Sequence, residues 1–319
     1  MDNKTYLKSF FTGYWSYMAV ATACELNLFQ HLITPRSTKA LSKIMLVKEN
    51  ELNLLLNALC NLNFLTKSGN MFELNELSSY LTDDHPESLK EACLNWHAEH
   101  LTAWQKLSYT IRTGNSAFNM LYGDAFFDYI SKQPHKLNAY HKAMNAYATD
   151  DYKMLPEKFN FSSFDTIIDV GGGYGALIST IKKQYPKTNC ILFDLPNVIE
   201  NVTVNEISKI PGNFFQYIPP GNDILILARV LHDWNDEKAQ LILKNTFDAL
   251  NENGKLLVIE NCTDKIDGDI SLLSLNMALM CQSYERSSIE YNDLAVNTGF
   301  KLENSIPLNS LQTILIYSK

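Results

Sequence analysis

The chain has 319 residues, of which 27 are Lys or Arg and 35 are Asp or Glu, and its formal net charge is -8 at pH 7. Hydrophobic residues make up 46% of the chain and aromatic residues 11%, which suits folded domains with a sizeable core and excludes a mostly disordered protein. The acid excess argues against a nucleic-acid partner, because phosphate is normally bound by a basic face.

The six cysteines lie far apart, with no C-x-x-C pair among them. This spacing predicts free thiols in a reducing compartment, and it indicates neither a zinc site nor a disulfide framework. The apolar stretch 14–24 runs straight into Glu25 without a small-residue cleavage pattern, so we interpret it as a helix of the mature protein. A membrane-spanning helix needs about 18 consecutive apolar residues, and no stretch of the sequence is nearly that long. We therefore expect a cytoplasmic protein with no membrane partner and no bound metal.

The first half of the chain has the residue spacing of helices. Apolar residues recur every three or four positions, after which 67–70 predicts a turn and 71–74 a short strand. Two short helices followed by a small hairpin are typical of a winged helix. The predicted helices cover 41–45, 52–65, 86–113 and 135–158.

The pattern changes near residue 160, where short apolar runs begin to alternate with helical segments. Such alternation predicts an α/β domain with a doubly wound, mostly parallel sheet. Two more strands are expected in the tail, separated by a loop that contains Pro307. We therefore divide the chain into a helical domain, 1–160, and a sheet domain, 161–319. The predicted strands are 166–170, 190–193, 223–227, 255–259, 300–302 and 312–317, and the predicted helices between them are 176–185 and 237–250.

A glycine-rich loop follows the first strand of the sheet domain. The strand ends in Asp169 and opens into Gly171-x-Gly173-x-Gly175, which presents backbone amides at the start of a helix with no side chains in the way. Such a loop can hold the pyrophosphate of a dinucleotide or an adenosyl amino acid, or it can be a tight turn without a ligand. Asp194, after the second strand, suits ribose hydroxyls in either ligand.

The context of the loop favours S-adenosylmethionine over a dinucleotide. A dinucleotide enzyme needs a hydride-handling site and often a second mononucleotide half, and neither is evident after Ile259. S-adenosylmethionine carries a sulfonium and an ammonium against one carboxylate, so it is cationic overall. Acidic residues before the loop (Asp169) and at the ribose position (Asp194) attract such a ligand.

Three ordered segments resemble the S-adenosylmethionine-dependent O-methyltransferases, in the branch of plant caffeic-acid-type enzymes and bacterial natural-product methyltransferases. They read Asp-Val-Gly-Gly-Gly-Tyr-Gly at 169–175, Phe-Asp-Leu-Pro-Asn-Val-Ile at 193–199 and Val-Leu-His-Asp-Trp-Asn-Asp-Glu at 230–237. Residues 25–29 and 112–114 match the helical dimerisation region of the same family. The resemblance implies a class I, Rossmann-like methyltransferase sheet after a winged-helix-like dimerisation domain, in a homodimer whose N-terminal helices close the partner's pocket.

The resemblance also implies the residues of the site. His232 aligns with the catalytic base, and Glu260 and Glu285 align with two carboxylates that orient it. Met144 and Met277 match methionines that shape an aromatic acceptor pocket, although methionine is also common core filler. The residues that the resemblance assigns to the cofactor are Asp169, Gly171, Gly173, Asp194, Leu195, Asn213, Phe214, Arg229 and Trp234.

Within the cofactor set, the resemblance places the two glycines against the methionine part and Asp194 at the ribose. Leu195, Phe214 and Trp234 would pack around the adenine, although Trp234 could also be ordinary core packing. Asn213 stands where relatives usually have Asp, and its amide oxygen could still accept a hydrogen bond from the adenine amino group.

Other positions leave alternatives open or depart from the family pattern. Glu285 could simply pair with its neighbour Arg286. Ser274 stands where relatives often have Asp, and Gln282-Ser283 replaces a usual glycine pair. These departures bear on cofactor affinity and acceptor shape more than on the fold.

The chemistry explains why a histidine is needed. A phenol with a pKa near 10 is a weak nucleophile at neutral pH, and a histidine with an ordinary pKa of about 6.5 can take its proton as attack begins. His232 follows a central strand, at the end where open α/β sheets place their ligands. We expect an enzyme of secondary metabolism that methylates a phenolic or enolic hydroxyl of a small molecule.

Other functions stay open at this point. A relative could keep the cofactor but catalyse a rearrangement, cyclisation or hydroxylation, or it could methylate nitrogen or carbon. A winged-helix transcription factor belongs to a different class. Residues 1–160 carry 15 basic and 16 acidic side chains, which is not the basic surface that DNA binding requires.

Overall fold

The computed structural model of the chain describes residues 2–264 and 268–319. It contains two compact units, Met1–Glu99 and His100–Lys319. The alternation of strands and helices expected after residue 160 begins at Thr166. Within the described ranges, none of the helices has the length and apolar character needed to cross a membrane.

The N-terminal unit combines helices with a small antiparallel sheet. After the last helix of the unit the chain forms a π-helical turn, Trp96–His100, whose final residue already belongs to the second unit. The elements are α1 (Asn3–Phe11), α2 (Tyr14–Glu25), α3 (Leu28–His31), β1 (Arg36–Ser37), α4 (Thr38–Met45), α5 (Glu49–Asn61), β2 (Leu65–Ser68), β3 (Met71–Leu74), α6 (Glu76–Ser79) and α7 (Lys90–Asn95).

Helices α4 and α5, followed by the hairpin of β2 and β3, confirm the predicted order of two helices and a hairpin. The hairpin turns at Gly69, whose φ of 58° suits glycine. Helix α5 ends before the predicted residue 65, because Asn63 adopts a left-handed conformation (φ 61°) and Leu65 begins β2. Strand β1, which the sequence did not predict, adds to the hairpin and gives the order β1-β3-β2.

The C-terminal unit begins with short helices. The helix predicted over 86–113 is a series of separate segments, because the chain leaves helical geometry at Ala98 (ψ -124°). Helices α10 and α11 were not predicted. The segments are α8 (Leu101–Trp104), α9 (Leu107–Thr113), α10 (Ala117–Tyr122), α11 (Phe126–Ser131), α12 (Pro134–Asp151) and α13 (Leu155–Lys158).

The rest of this unit is a sheet with helices on both faces. A 3-10 turn, Leu231–Asp233, follows the fourth of its strands. The elements are β4 (Thr166–Val170), α14 (Ala176–Gln184), β5 (Asn189–Asp194), α15 (Pro196–Ile199), β6 (Ser208–Pro211), β7 (Asn222–Ala228), α16 (Asp236–Ala249), β8 (Leu250–Asn261), α17 (Gly268–Cys281), α18 (Ser288–Val296), β9 (Lys301–Pro307) and β10 (Gln312–Ser318).

The seven strands lie in the order β6-β5-β4-β7-β8-β10-β9. The first five are parallel, whereas β10 runs antiparallel to both β8 and β9. This confirms the predicted doubly wound, mostly parallel sheet. Strand β6 was not predicted, and Pro307, expected in a loop, is the last residue of β9. Ile167 and Ile168 point to opposite faces of β4 and both are fully buried, as expected for a sheet covered on both sides.

Candidate functional site

Most of the residues predicted for the site lie at or just after the carboxyl ends of β4 to β8, in the C-terminal unit. The strand order runs outward in opposite directions from β4 and β7, and such a switch point is where open α/β sheets hold ligands. The glycine loop leaves β4 there, and the turn that carries His232 leaves β7. The fold therefore brings the two main motifs of the sequence to one edge of the sheet.

Two glycines of the loop after β4 lie close to other parts of the unit, each with a different neighbour. At Gly171 (φ 71°) a Cβ atom would lie 3.0 Å from Cγ2 of Val230 and 3.4 Å from the Phe214 ring. At Gly173 (φ 57°) a Cβ atom would lie 3.3 Å from Nδ1 of His141. The loop is therefore in close contact with the turn after β7 and with α12.

Two buried carboxylates flank this loop. Neither oxygen of Asp169 has a hydrogen-bond partner among the described residues, and burial, together with the charge of Asp194, raises the pKa of Asp169 to about 7. Asp194 accepts the N–H groups of Gly173 (2.8 Å) and Leu195 (2.7 Å), and burial still raises its pKa to about 6. Unpartnered negative charge in a buried place fits a cationic ligand such as S-adenosylmethionine.

An aromatic cluster adjoins the loop. The centroid of the Trp234 ring lies 4.7 Å from that of Phe215, 5.5 Å from that of Phe127 and 6.2 Å from that of Phe214. Phe214 is also the ring that faces Gly171. The structure thus brings Phe214 and Trp234 together beside the glycines, where their faces and edges can hold a flat ring such as adenine.

The other two residues expected at the adenine make backbone contacts. The Asn213 amide oxygen accepts the Phe215 N–H at 2.9 Å, so one of its lone pairs is already used. The N–H of Leu195 donates to Asp194, and the Leu195 side chain is half-buried against a core cluster that includes Val198.

His232 is buried, and both of its ring nitrogens face an acceptor. Nδ1 lies 3.0 Å from Oε1 of Glu285, and Nε2 lies 3.1 Å from the main-chain oxygen of Arg229. A carboxylate and a carbonyl can only accept, so this arrangement suits a ring protonated at both nitrogens. Oδ1 of Asp233 also lies 3.6 Å from Nε2.

The charges around the ring raise the pKa of His232 and lower the pKa of Glu285. Burial and the Arg229 guanidinium lower the pKa of His232, but the carboxylates of Asp233, Glu285 and Glu260 outweigh them and raise it to about 9. Burial raises the pKa of Glu285, but His232 and Arg229 outweigh it and lower that pKa to about 2. The pair is therefore an imidazolium and a carboxylate at neutral pH.

Glu260 contacts the turn rather than the imidazole ring. Its Oε1 accepts the N–H groups of Val230 (3.0 Å), Leu231 (2.9 Å) and His232 (3.4 Å). Burial raises the pKa of Glu260, although His232 and Arg229 oppose this. Of the two carboxylates expected to orient the base, Glu285 thus binds the ring and Glu260 fixes the main chain that carries it.

Arg229 was expected at the cofactor, but its guanidinium is bound to carboxylates. Nη1 and Nη2 donate to the two oxygens of Glu285 at 3.1 and 3.0 Å, and Nη1 lies 3.5 Å from Oε2 of Glu260. Arg229 also has a left-handed backbone, with φ of 56°. Sequence spacing gives no sign of this pairing, because its partners come from distant parts of the chain.

Arg286 has a different partner from the one considered in the sequence. Its side chain is fully buried and donates to Oδ1 of Asp236 (2.7 Å) and to the carbonyls of Trp234 (2.8 Å) and Leu231 (3.1 Å). The alternative that Glu285 simply pairs with Arg286 is therefore wrong. Arg286 instead stabilises the turn that carries the histidine.

Two serines at positions that depart from the family pattern bind the main chain of the site, Ser283 at the turn and Ser274 at Glu285. The Ser283 hydroxyl lies 2.6 Å from the His232 carbonyl and 2.9 Å from that of Trp234. The Ser274 hydroxyl accepts the N–H of Glu285 at 3.3 Å. Both were noticed in the sequence only as replacements, since their contacts depend on the tertiary fold.

The helices that carry the two methionines adjoin the site. Met144 is half-buried on α12, and Met277 is buried on α17, where its carbonyl accepts the Ser283 N–H at 3.4 Å. Sequence reasoning missed His141, which is on α12, stacks on Tyr174 at 5.2 Å and faces the glycine loop. Burial lowers the pKa of His141 to about 4, so this ring is neutral.

Comparison with known proteins places these features in a family. An O-methyltransferase domain model matches residues 104–301, and an O-methyltransferase dimerisation domain model matches residues 9–84. The phenazine O-methyltransferase of Lysobacter antibioticus is 27% identical, over 94% of this chain and 91% of its own. The 3-amino-4-hydroxybenzoate 4-O-methyltransferase of Streptomyces cremeus is 30% identical, over 75% of this chain and 69% of its own.

A solved structure agrees over the full length. Human N-acetylserotonin methyltransferase in complex with S-adenosylmethionine has a TM-score of 0.90 and 25% sequence identity, and the match covers 100% of this chain and 98% of that one. The two matched domain models follow the same order as the helical and sheet regions described above.

Proposed function

Because this chain belongs to the O-methyltransferase family and uses S-adenosylmethionine, we propose that it methylates a phenolic or enolic hydroxyl of a small molecule, with His232 as the general base. The fold is that of class I methyltransferases, and the chain is an enzyme of the secondary-metabolism type. The observation that carries the proposal is the buried imidazole of His232, held through Nδ1 by Glu285 at the ligand edge of the sheet.

The residues around the glycine loop fit the cofactor. Asp169 would offer its unpartnered carboxylate to the cationic part, and Asp194 would bind ribose hydroxyls with its remaining lone pairs. Phe214 and Trp234 would enclose the adenine. When bound, S-adenosylmethionine supplies an electrophilic methyl group on a sulfonium, which a nucleophilic oxygen can take.

His232 would act on the proton of the acceptor hydroxyl. In the present arrangement Nε2 donates to the Arg229 carbonyl, so the ring must first lose that proton before Nε2 can receive another. The carboxylate of Glu285 then stabilises the imidazolium that forms and keeps Nδ1 protonated. Because the turn is fixed by Glu260, Nε2 is held in a defined place relative to the loop.

A phenolic acceptor is supported by the relatives and by the chemistry of a histidine base. The two relatives described above are named for O-methylation of a phenazine and of a hydroxybenzoate. An aromatic hydroxyl ionises far more readily than an alcohol, so a single positioned base suffices. Met144 and Met277 would contact the aromatic ring of the acceptor.

We propose a homodimer formed through the N-terminal unit. Helices α1 and α2 expose large apolar side chains, and a free apolar surface of this kind usually marks a protein interface. The exposed side chains on these helices are Tyr6, Leu7, Phe10, Phe11, Tyr14 and Trp15.

The six cysteines are free thiols, which supports a reducing compartment such as the cytoplasm.

The test is product analysis with purified protein. The chain is incubated with S-adenosylmethionine and a panel of phenols, enols, anilines and alcohols, and S-adenosylhomocysteine and the methylated product are quantified by mass spectrometry. One S-adenosylhomocysteine per O-methylated phenol or enol is expected. Methylation confined to nitrogen or carbon, or conversion without S-adenosylhomocysteine, would overturn the proposal.

A further inference from the structure

Arg229 is placed to influence His232 in two ways at once. Its left-handed backbone (φ 56°) directs its carbonyl to Nε2 of His232 at 3.1 Å. Its guanidinium binds both oxygens of Glu285, and Oε1 of Glu285 is the atom that holds Nδ1. Arg229 therefore binds the carboxylate that accepts from Nδ1, and its own carbonyl accepts from Nε2.

The left-handed backbone of Arg229 is strained, and strain of this kind indicates a functional constraint. A side chain other than Gly, Asn or Asp seldom adopts it, because the Cβ atom then crowds the carbonyl oxygen. Such strain persists where the surroundings require it, and it is concentrated at functional sites. Here the required feature is the simultaneous placement of the carbonyl toward His232 and of the guanidinium toward Glu285.

The guanidinium also balances two buried negative charges. The side chains of Glu260 and Glu285 are both fully buried, and Arg229 forms ion pairs with each. Buried carboxylates side by side would otherwise repel each other. The charged groups that face the His232 ring are Arg229 from the end of β7, Asp233 from the turn, Glu260 from β8 and Glu285 from the segment after α17.

We propose that Arg229 is a positioning residue for methyl transfer, which holds Glu285 in line with Nδ1 and offers its carbonyl to the Nε2 proton. Its guanidinium is also the one cation among the charged groups of the described residues that face the ring. The proposal rests on the proposed function, in which His232 is the base. Arg229 itself need not contact the acceptor or the cofactor.

The test compares Arg229→Met and Arg229→Lys with the matched control Arg286→Met. Arg286 is also a buried arginine beside the turn, but it binds Asp236 and main-chain carbonyls and is not among the charges that face the ring. The His232 resonance is found among the 7 histidines by its loss in His232→Gln, and its titration is followed by NMR of labelled histidine. The pH profile of kcat/KM is measured in parallel.

We expect Arg229→Met to move the titration of His232 and the rising limb of kcat/KM to higher pH by about one unit or more, since a neighbouring cation has been removed. We expect kcat to fall about 10- to 100-fold through loss of alignment, while calorimetric affinity for S-adenosylhomocysteine is retained. Arg229→Lys keeps the charge, so it should titrate near wild type and recover part of kcat. Arg286→Met should lose stability and move the titration less than Arg229→Met does, since Arg286 holds only the main chain of the turn.

An unshifted His232 titration in Arg229→Met, or a shift of equal size in Arg286→Met, would overturn the proposal. If Arg229→Met does not fold, Arg229→Lys decides, because titration far from wild type contradicts the charge argument. If the wild type methylates none of the acceptors, the proposed function fails, whereas the NMR comparison still tests the link between Arg229 and His232.

Discussion

Oε1 of Glu285 lies 3.0 Å from Nδ1 of His232, and each of the two side chains moves the pKa of the other away from its ordinary value. The pKa of His232 is raised to about 9, and that of Glu285 is lowered to about 2. A histidine with an ordinary pKa, as the sequence suggested, would be mostly neutral at pH 7.5. Here the ring is mostly protonated, so the proposed role as a base requires that this proton is released first.

The pH dependence of turnover should reflect this raised pKa. Only neutral His232 can accept a proton, so kcat/KM should increase as the pH rises and level off above about 9. In Glu285→Gln a negative charge is lost, so the rising limb should move to lower pH by about one unit or more. Steady-state rates across pH 6 to about 10 would check this, and a profile that is already flat at neutral pH would contradict it.

Replacing His232 separates chemistry from cofactor binding. In His232→Ala we expect kcat to fall about 10²- to 10⁴-fold, because the positioned base is gone. The residues proposed to bind the cofactor lie around the glycine loop instead, so calorimetric affinity for S-adenosylmethionine should be close to that of wild type. Wild-type turnover in the variant would remove His232 from the mechanism.

Asp169 should increase the affinity for the cofactor but lower the stability of the folded protein. Its pKa is raised to about 7 in the folded protein, so ionisation opposes folding above that pH, and the effect disappears as the pH falls toward 3.8. At pH 8 we expect Asp169→Asn to raise the unfolding midpoint by about 2–4 °C and to weaken binding of S-adenosylmethionine. Scanning calorimetry and titration calorimetry measure the two effects. A variant that is less stable at pH 8 would contradict the assignment of an unpartnered buried carboxylate.

Asp194 offers a second test of the cofactor site. Asp194→Ala removes a carboxylate that binds the Gly173 and Leu195 amides and would bind the ribose. We expect at least about a tenfold loss of affinity, which corresponds to one charge-assisted hydrogen bond. Asp194→Asn keeps the side-chain volume and serves as the matched control with a smaller loss. Unchanged affinity in Asp194→Ala would place the ribose elsewhere.

A chelator tests whether the cluster of His232, Glu260 and Glu285 is a metal site. Ligand atoms of His232, Glu260 and Glu285 all lie within 4.8 Å of one another, a grouping that could hold a metal ion. The Arg229 guanidinium is bound to both carboxylates and supplies positive charge there. We therefore expect turnover to survive dialysis against EDTA. Loss of activity that one divalent metal restores would show that the cluster binds metal.

Local sequence predicted the parts of the site that are continuous in the chain. The glycine loop, Asp194 at the end of β5 and His232 after β7 follow directly from strands that the apolar pattern marks. The resemblance supplied Glu260 and Glu285, but not their different partners. Which oxygen binds which donor depends on how β7, β8 and the segment after α17 meet, and no spacing along the chain encodes that.

The same reason explains the errors elsewhere. Helices α10 and α11 are short and lack a sustained apolar repeat, so they left no periodic signal. Strand β6 has only four residues, and half-buried and exposed positions dominate it. Arg286 was considered as a partner of Glu285 because the two are adjacent, but adjacent residues outside a helix commonly point to different sides of the chain.

The hydroxyl of Ser283 and the guanidinium of Arg286 together bind the carbonyls of Leu231, His232 and Trp234. Ser283 and Arg286 flank Glu285 in the same short segment. The histidine and the carboxylate that orients it are therefore tied together by hydrogen bonds within one compact unit, residues 100–319. In the proposed homodimer the N-terminal helices are expected to close the partner's pocket, so dissociation should alter acceptor KM while the His232 titration stays the same.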